Sequence, residues 1–300
     1  MTSEPSDAST TLRVLPPTRI GPTTFAWGER TYVMGILNVT PDSFSGDGLL
    51  RGGDPVGAAV ELARRMVDEG ADMLDVGGES TRPGHAPVDA AEEIGRVIPV
   101  LAAVADALPA TPLSIDTTKV VVAEAALAAG ADLLNDVWGT GSDPAIAKLA
   151  AHAGVPLLVM HNRAEARYDD VVREVVDDLR AALERAERAG VPASDLIVDP
   201  GIGFGKTADH NVAVLRNLGA LRSLRRPILL GTSRKSTLGR ILDLPPGERL
   251  EATLATTALG IAAGIDIVRV HDVRPNVRVA RVSDAIVRGR WRSEPKGGPA

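Results

Sequence analysis

The sequence predicts an α/β fold, namely a single (β/α)8 TIM barrel with its active site at the C-terminal ends of the strands. Three observations support this prediction. Short apolar runs recur eight times along the chain, Ala-rich helical patterns separate them, and glycines stand just before several of the runs. A doubly wound open sheet shows the same alternation and is the structural alternative that the pattern leaves open.

The predicted elements follow one another in a regular order. Near-continuous apolar runs of this length suit strands that are buried on both faces, and they cover residues 32–37, 73–76, 113–115, 133–134, 157–160, 196–198, 228–230 and 267–270. The predicted helices include 55–69, 119–129, 169–189, 251–263 and 276–288. Helix-ending glycines with positive φ predict short connections to the next strand at Gly70, Gly130, Gly154, Gly190 and Gly264.

A chain of 300 residues suits one domain. Residues 1–23 are expected to be a disordered N-terminal extension, residues 24–290 the barrel domain, and residues 291–300 a C-terminal tail. A small hairpin over residues 24–32, turning at Gly28 and Glu29, is expected to close the bottom of the barrel.

Charge and composition exclude several classes of function. The net charge of −6 argues against binding to nucleic acid or to an anionic membrane surface, so an anionic ligand must be held by local positive groups. The absence of cysteine excludes disulfides and a thiol nucleophile, and it fits the cytoplasm. Neither a membrane span nor an export signal is expected.

Chemistry-bearing residues collect directly after the predicted strands. In a barrel these positions converge on one pocket, so side chains that each have an ordinary structural explanation would face one another. The residues at strand ends are Asn38, Gly77, Gly78, Glu79, Asp116, Asn135, Asp136, His161, Asp199, Ser233, Arg234, Lys235, Arg269 and His271.

The types of residue in this ring indicate the kind of ligand. Asp116, Asp199 and Asn135 suit a flat heterocycle with several N–H donors, and Lys235 would donate to its carbonyl or ring nitrogen. Arg269 and His271 are two residues apart on one strand, which predicts an anion clamp on one face. Arg269 could instead pair with Asp272 or Glu79.

Two other features give weaker evidence about the ligand. Asn38 is the candidate metal position, with Asp42 or Asp47 nearby, and these are too few for a dedicated protein site, so Mg²⁺ would be shared with ligand phosphates. The glycine-rich segment 201–206 lacks the spacing of a phosphate loop and is expected to need positive φ and close backbone approach.

Eight ordered segments resemble the dihydropteroate synthase family, from about Tyr32 to Arg288. The first two are highly specific, whereas the short ones would mean little alone. The segments are 34–45, 75–84, 114–117, 135–137, 160–161, 199–206, 231–236 and 269–273. Small departures are Trp138, where the family usually has a small residue, and the order of residues 45–48.

The resemblance implies a role for each matching residue. It implies five catalytic residues, which are Asp116, Asp199, Lys235, Arg269 and His271. The implied pterin-binding residues are Asp116, Asn135, Met160, Asp199, Phe204, Gly231 and Lys235. The implied residues of the p-aminobenzoate loops are Phe44, Thr81, Arg82, Pro83, Phe204 and Ser236. Those implied for the diphosphate are Asn38, Thr81, Arg269 and His271, with Asn38 also implied as the ligand of Mg²⁺.

The implied reaction joins a dihydropterin diphosphate to 4-aminobenzoate with loss of diphosphate, in a homodimer. Two alternatives remain open at this point. One is a methyltransferase that uses methyltetrahydrofolate, although such a donor brings no diphosphate for Arg269 and His271 to bind. The other is a catalytically silent paralogue, which dihydropteroate formation by purified protein would exclude.

Overall fold

Eight parallel strands form the centre of the molecule. A parallel bridge between Val198 and Ile228 joins the two ends of this sheet, which closes the barrel. The computed structural model describes residues 15–39, 53–79, 88–139 and 141–289. The strands are β3 Tyr32–Asn38, β4 Met73–Gly77, β5 Leu113–Asp116, β6 Leu133–Asp136, β7 Leu157–Met160, β8 Leu196–Asp199, β9 Leu229–Leu230 and β10 Ile267–Val270. Their order in the sheet is β8-β7-β6-β5-β4-β3-β10-β9.

Helices follow the strands around the outside of the barrel. They are α1 Pro55–Asp68, α2 Ala90–Ala107, α3 Val120–Ala128, α4 Ala145–Ala153, α5 Val171–Arg188, α6 Ala208–Arg216, α7 Ser236–Leu242, α8 Leu250–Ala263 and α9 Val273–Val287. Asp54, Asp89 and Asp170 cap the starts of α1, α2 and α5 by accepting a backbone N–H. The (β/α)8 prediction is therefore confirmed, and the open sheet is excluded.

The five glycines expected to follow helices all have positive φ, between 67° and 106°. Their prediction is confirmed, because the short connections between helix and strand need this conformation. Within the described ranges, no helix combines the length and the apolar composition that a membrane crossing requires.

Alternation along each strand divides the core into two layers. Side chains that point outward pack against the helices, as Leu74, Ile115 and Val198 do. Side chains that point inward fill the barrel, among them Met34, Met73, Leu133, Leu158, Ile197, Leu229 and Ile267. Because the period of a strand is two residues, the next inward positions toward the C-terminal ends carry Asp75, Asn135, Asp199 and Arg269. These polar side chains thus lie directly above the apolar side chains that fill the barrel, which we call the apolar plug.

The bottom of the barrel is closed by a hairpin that begins earlier in the chain than the sequence predicted. Strand β1 (Thr18–Ile20) pairs antiparallel with β2 (Thr23–Phe25), and Ile20 and Phe25 are fully buried. The turn uses Gly21 at φ 53° rather than Gly28, which precedes β3. The expected disorder is therefore wrong for residues 15–23, since burial of Ile20 fixes this segment, and the hairpin expected over 24–32 is wrong as well. Residues 1–14 and 290–300 lie outside the described residues.

Candidate active site

Two glycines at strand ends lie among the candidate residues and show which of them meet. A methyl group on Gly231, after β9, would lie 3.7 Å from Asp199 Oδ2, 3.9 Å from Lys235 Nζ and 3.9 Å from Arg269 Cβ. A methyl group on Gly77, at the end of β4, would lie 3.6 Å from Asp116 Cβ and 3.8 Å from Asn38 Oδ1. The strand ends therefore bring Asp199, Lys235 and Arg269 together, and likewise Asp116 and Asn38, as the barrel geometry requires.

On one side of this site, an arginine lies against two carboxylates. Arg269 Nε donates to Asp75 Oδ2 at 2.6 Å, and Arg269 Nη2 donates to Asp116 Oδ2 at 2.9 Å. Asn135 Nδ2 also donates to Asp75 Oδ2, at 3.1 Å. Three strands besides β4 thus contribute to one buried polar network.

On the other side, Asp199 and Lys235 lie beside the loop that follows β8. Asp199 Oδ1 accepts the N–H of Gly201 at 2.7 Å, which leaves its other oxygen toward Gly231 and the lysine. Lys235 Nζ donates to the carbonyl of Ile202 and lies 4.6 Å from the centre of the Phe204 ring. A cation against an aromatic face is attractive, so Phe204 helps to hold the ammonium group.

Burial moves the pKa values of these groups toward neutrality. Burial raises the pKa of Asp116 to about 7, which Arg269 opposes, whereas Asp75 and Glu93 add to the increase. Burial likewise raises the pKa of Asp199. It lowers the pKa of Lys235 to about 8, against the opposing effect of Asp199. Asp116 and Lys235 therefore both have pKa values close to physiological pH, as is common in functional sites.

Both residues of the expected anion clamp have partners within the protein, since Arg269 pairs with Asp75 and Asp116 and His271 pairs with Ser233. His271 Nδ1 and Ser233 Oγ are hydrogen-bonded at 2.9 Å, which fixes the imidazole at the end of β10. Arg269 pairs with neither of the carboxylates considered from the sequence. Asp272 accepts two hydrogen bonds from Arg234 instead, and Glu79 pairs with Lys119 at 2.5 Å.

Two residues of the predicted ring do not face the site. His161 follows the inward-facing Met160 and therefore points outward, where its Nε2–H donates to Asp178 on α5 at 3.0 Å. Its Nδ1 accepts from Lys206 at 2.7 Å. Asp136 accepts the backbone N–H of Trp138 at 2.9 Å and shapes the turn after β6.

Two residues near the site, one buried and one half-buried, were missed by sequence reasoning. Asp75 is fully buried, and its signal was a carboxylate in an otherwise apolar strand at an inward-facing position. Lys206 donates to His161 and to two carbonyls of its own loop, those of Gly201 and Phe204. Desolvation lowers the pKa of Lys206 to about 7, but no local sequence signal predicts that this lysine is half-buried.

The remaining predicted residues divide into two groups. Met160 and Gly231 are buried, Phe204 and Asn38 are half-buried, and Ser236 is exposed at the start of α7. Phe44, Thr81, Arg82 and Pro83 lie outside the described residues. The described part of the chain has no group of three or more His, Cys, Asp or Glu residues arranged for a metal ion. Asn38, with one amide oxygen, fits a Mg²⁺ that takes most of its ligands from phosphate and water.

Comparison with known proteins agrees with this geometry. Residues 34–271 match the family described as pterin binding enzyme. The chain is 49% identical over 271 residues to dihydropteroate synthase of Clostridium beijerinckii, covering 90% of this chain and 99% of that relative.

Solved structures give the same result. A dihydropteroate synthase from Clostridium difficile, crystallised in the presence of pteroic acid, has 49% identity and a TM-score of 0.84, covering 88% of this chain and 99% of that chain. The Xanthomonas albilineans enzyme in complex with 7,8-dihydropteroate has 40% identity and a TM-score of 0.82, covering 90% and 98%. With its barrel closed and its acceptors, lysine and arginine gathered at the strand ends, the chain belongs to the dihydropteroate synthase family of pterin binding enzymes.

Proposed function

We propose that this chain condenses (7,8-dihydropterin-6-yl)methyl diphosphate with 4-aminobenzoate, giving 7,8-dihydropteroate and diphosphate. The observation that carries the proposal is the meeting of Asp116, Asn135, Asp199 and Lys235 above the apolar plug of the barrel. Acceptors and one donor in a buried site match the edge of a pterin ring, which presents several N–H groups and a carbonyl.

The pterin subsite uses acceptors that the protein itself leaves open. Asp116 Oδ1 is buried and has no hydrogen-bond partner within the described residues. Buried polar atoms are almost always paired in a working complex, so a ligand N–H is the natural partner for this oxygen. Lys235 beside Asp199 would donate to the pterin carbonyl or to a ring nitrogen. Met160, Phe204 and Gly231 would form the apolar walls.

The reaction is a displacement at the methylene carbon of the pterin. The bond from this carbon to the diphosphate oxygen breaks and its electron pair leaves with the diphosphate. The amine of 4-aminobenzoate forms the new carbon–nitrogen bond and loses a proton. The carboxylates Asp116 and Asp199 stabilise positive charge that develops on the pterin, and the closed barrel floor excludes water from it.

The diphosphate subsite lies on the side of β3 and β10. Arg269 and His271 would bind the leaving group, together with Asn38 and Thr81. Asn38 would also contribute its amide oxygen to Mg²⁺, which when bound supplies positive charge to the diphosphate. For 4-aminobenzoate, we assign Phe204 and Ser236 with the loop residues Phe44, Thr81, Arg82 and Pro83.

The test is product formation by the purified chain with both substrates and Mg²⁺. We expect dihydropteroate and diphosphate to appear in equal amounts. Asp199→Asn should lower kcat/KM for the pterin substrate by about ten-fold or more, because a hydrogen bond to a charged group contributes ~1.5–3 kcal/mol. Asp195→Asn, at the opposite end of β8, is the control. No product from a folded wild-type chain that binds pterin would identify a silent paralogue.

We also propose that two copies of the chain associate through exposed apolar side chains on α7, α8 and α9. Helices α8 and α9 pack side by side, and this face is unusually apolar for a surface. Its exposed residues include Ile286, 78% exposed, and Leu259, 69% exposed; the others are Ile241, Leu242, Val282 and Val287. A two-fold pairing would bury such a face against its own copy.

A further inference from the structure

Asp75 has no role in the reaction as described above, although it lies at the centre of the site's polar network. Its side chain is 0% exposed. It occupies an inward-facing position of β4, and a single oxygen, Oδ2, accepts from Arg269 on β10 and from Asn135 on β6. Asp75 therefore affects any ligand group that Arg269 or Asn135 contacts.

The contact with Asn135 determines which end of this amide faces the ligand. An ionised carboxylate only accepts hydrogen bonds, so the NH2 group of the amide must be the end that faces Asp75. Asn135 Oδ1 is therefore the end left for the ligand. Asp75 thereby makes Asn135 an acceptor for a pterin N–H rather than a donor.

The contact with Arg269 fixes the plane of the guanidinium. Nε donates to Asp75 and Nη2 donates to Asp116, so the group spans two neighbouring strands. The charge of Arg269 is always present, and Asp75 balances it inside the barrel. Removing one partner of a buried pair leaves an uncompensated charge, which makes this contact sensitive to substitution.

We propose that Asp75 is a positioning residue that orients the Asn135 amide and holds Arg269, and so prepares the pterin subsite. This inference rests on the proposed function, because it assumes that the site binds a dihydropterin. Asp75 therefore acts on substrate affinity through its two neighbours, Asn135 and Arg269.

The experiment compares Asp75→Asn with a matched control, Asp284→Asn. Asp284 is also a buried carboxylate paired with an arginine, Arg288, at 2.7 Å, and it accepts from Thr31, but it lies at the bottom of the barrel. Binding of 6-hydroxymethyl-7,8-dihydropterin is measured by calorimetry, and unfolding is measured in urea. We expect both variants to lose stability, but only Asp75→Asn to weaken pterin binding, by about ten-fold or more.

A second variant keeps Asp75 in place. If Asn135 only presents an acceptor, Asn135→Asp should bind pterin as well as the wild type does. If Asp75 orients that side chain through its NH2 group, two carboxylates will face each other and affinity will fall by at least as much as in Asp75→Asn. In an Asn135→Ala background, the effect of Asp75→Asn should shrink, because the two residues act as a unit.

The pH dependence gives a readout that a purely structural role would not change. Asp116 is faced by Arg269 from β10, by Asp75 from β4, by Glu93 from α2 and by Lys235 at the start of α7. Removing the negative charge of Asp75 should move the acidic limb of pterin binding to lower pH. The inference is wrong if Asp75→Asn binds pterin with wild-type affinity and an unchanged pH profile. Failure of the wild type itself to bind pterin would overturn the proposed function as well.

Discussion

At the scale of single residues, desolvation of Asp116 and Lys235 lowers the stability of the folded protein near neutral pH. Burial raises the pKa of Asp116 from 3.8 to about 7, so folding favours the protonated form of this group. The stability that the protonated form contributes is fully present below pH 3.8. That contribution is lost as the pH rises through about 7. The lowered pKa of Lys235, about 8, has the opposite sign, with stability lost as the pH falls through about 8. Near neutral pH, these two groups therefore lower the free energy of unfolding.

The same two groups predict the pH dependence of pterin binding. Asp116 becomes a charged acceptor above about pH 7, and Lys235 loses its charge above about pH 8. Affinity for a dihydropterin should therefore rise between pH 6 and about 7.5 and fall again above it. Calorimetry across this range checks the prediction, with Asp116→Asn as the comparison that should lose the acidic limb. An unchanged acidic limb in Asp116→Asn would assign it to another group.

At the scale of elements, the loop after β8 brings backbone very close to its neighbours. Gly201, Gly203 and Gly205 have φ values of 65°, 86° and 55°, which confirms the expected need for positive φ. A Cβ on Gly201 would lie 1.8 Å from the carbonyl oxygen of His161. This loop also carries Phe204 and accepts the hydrogen bond of Lys235, so its shape positions two groups of the site.

Gly201→Ala should therefore destabilise the protein and weaken pterin binding together. We expect a loss of at least ~1–3 kcal/mol, since positive φ is unfavourable for alanine and the backbone has to move. Gly95→Ala, on an exposed and uncrowded position of α2, is the control and should stabilise the helix by ~1 kcal/mol. Urea unfolding measures both. Equal effects of the two substitutions would contradict this account of the loop.

At the scale of the whole molecule, the proposed dimer accounts for the exposed apolar face of α7, α8 and α9. Val282 and Ile286 are one helical turn apart on α9, so Ile286→Glu places a charge at the middle of the contact. Light scattering should give twice the chain mass of 31.3 kDa for the wild type and the chain mass itself for this variant. Val121→Glu, at an exposed valine of α3, should not change the mass. A monomeric wild type at micromolar concentration would exclude the dimer.

The sequence by itself determined the barrel, its strands and helices, and the presence of acceptors, lysine and arginine at the strand ends. These features follow from local patterns, because apolar runs, helical periodicity and helix-ending glycines each act within a few residues. Only the tertiary structure decided which side chains pair with one another. Arg269 pairs with Asp75 across 194 residues of sequence, and Ile20 is buried under a barrel whose first strand begins at Tyr32. Such pairings depend on which strands meet in space and which side chains face inward, so no local pattern specifies them.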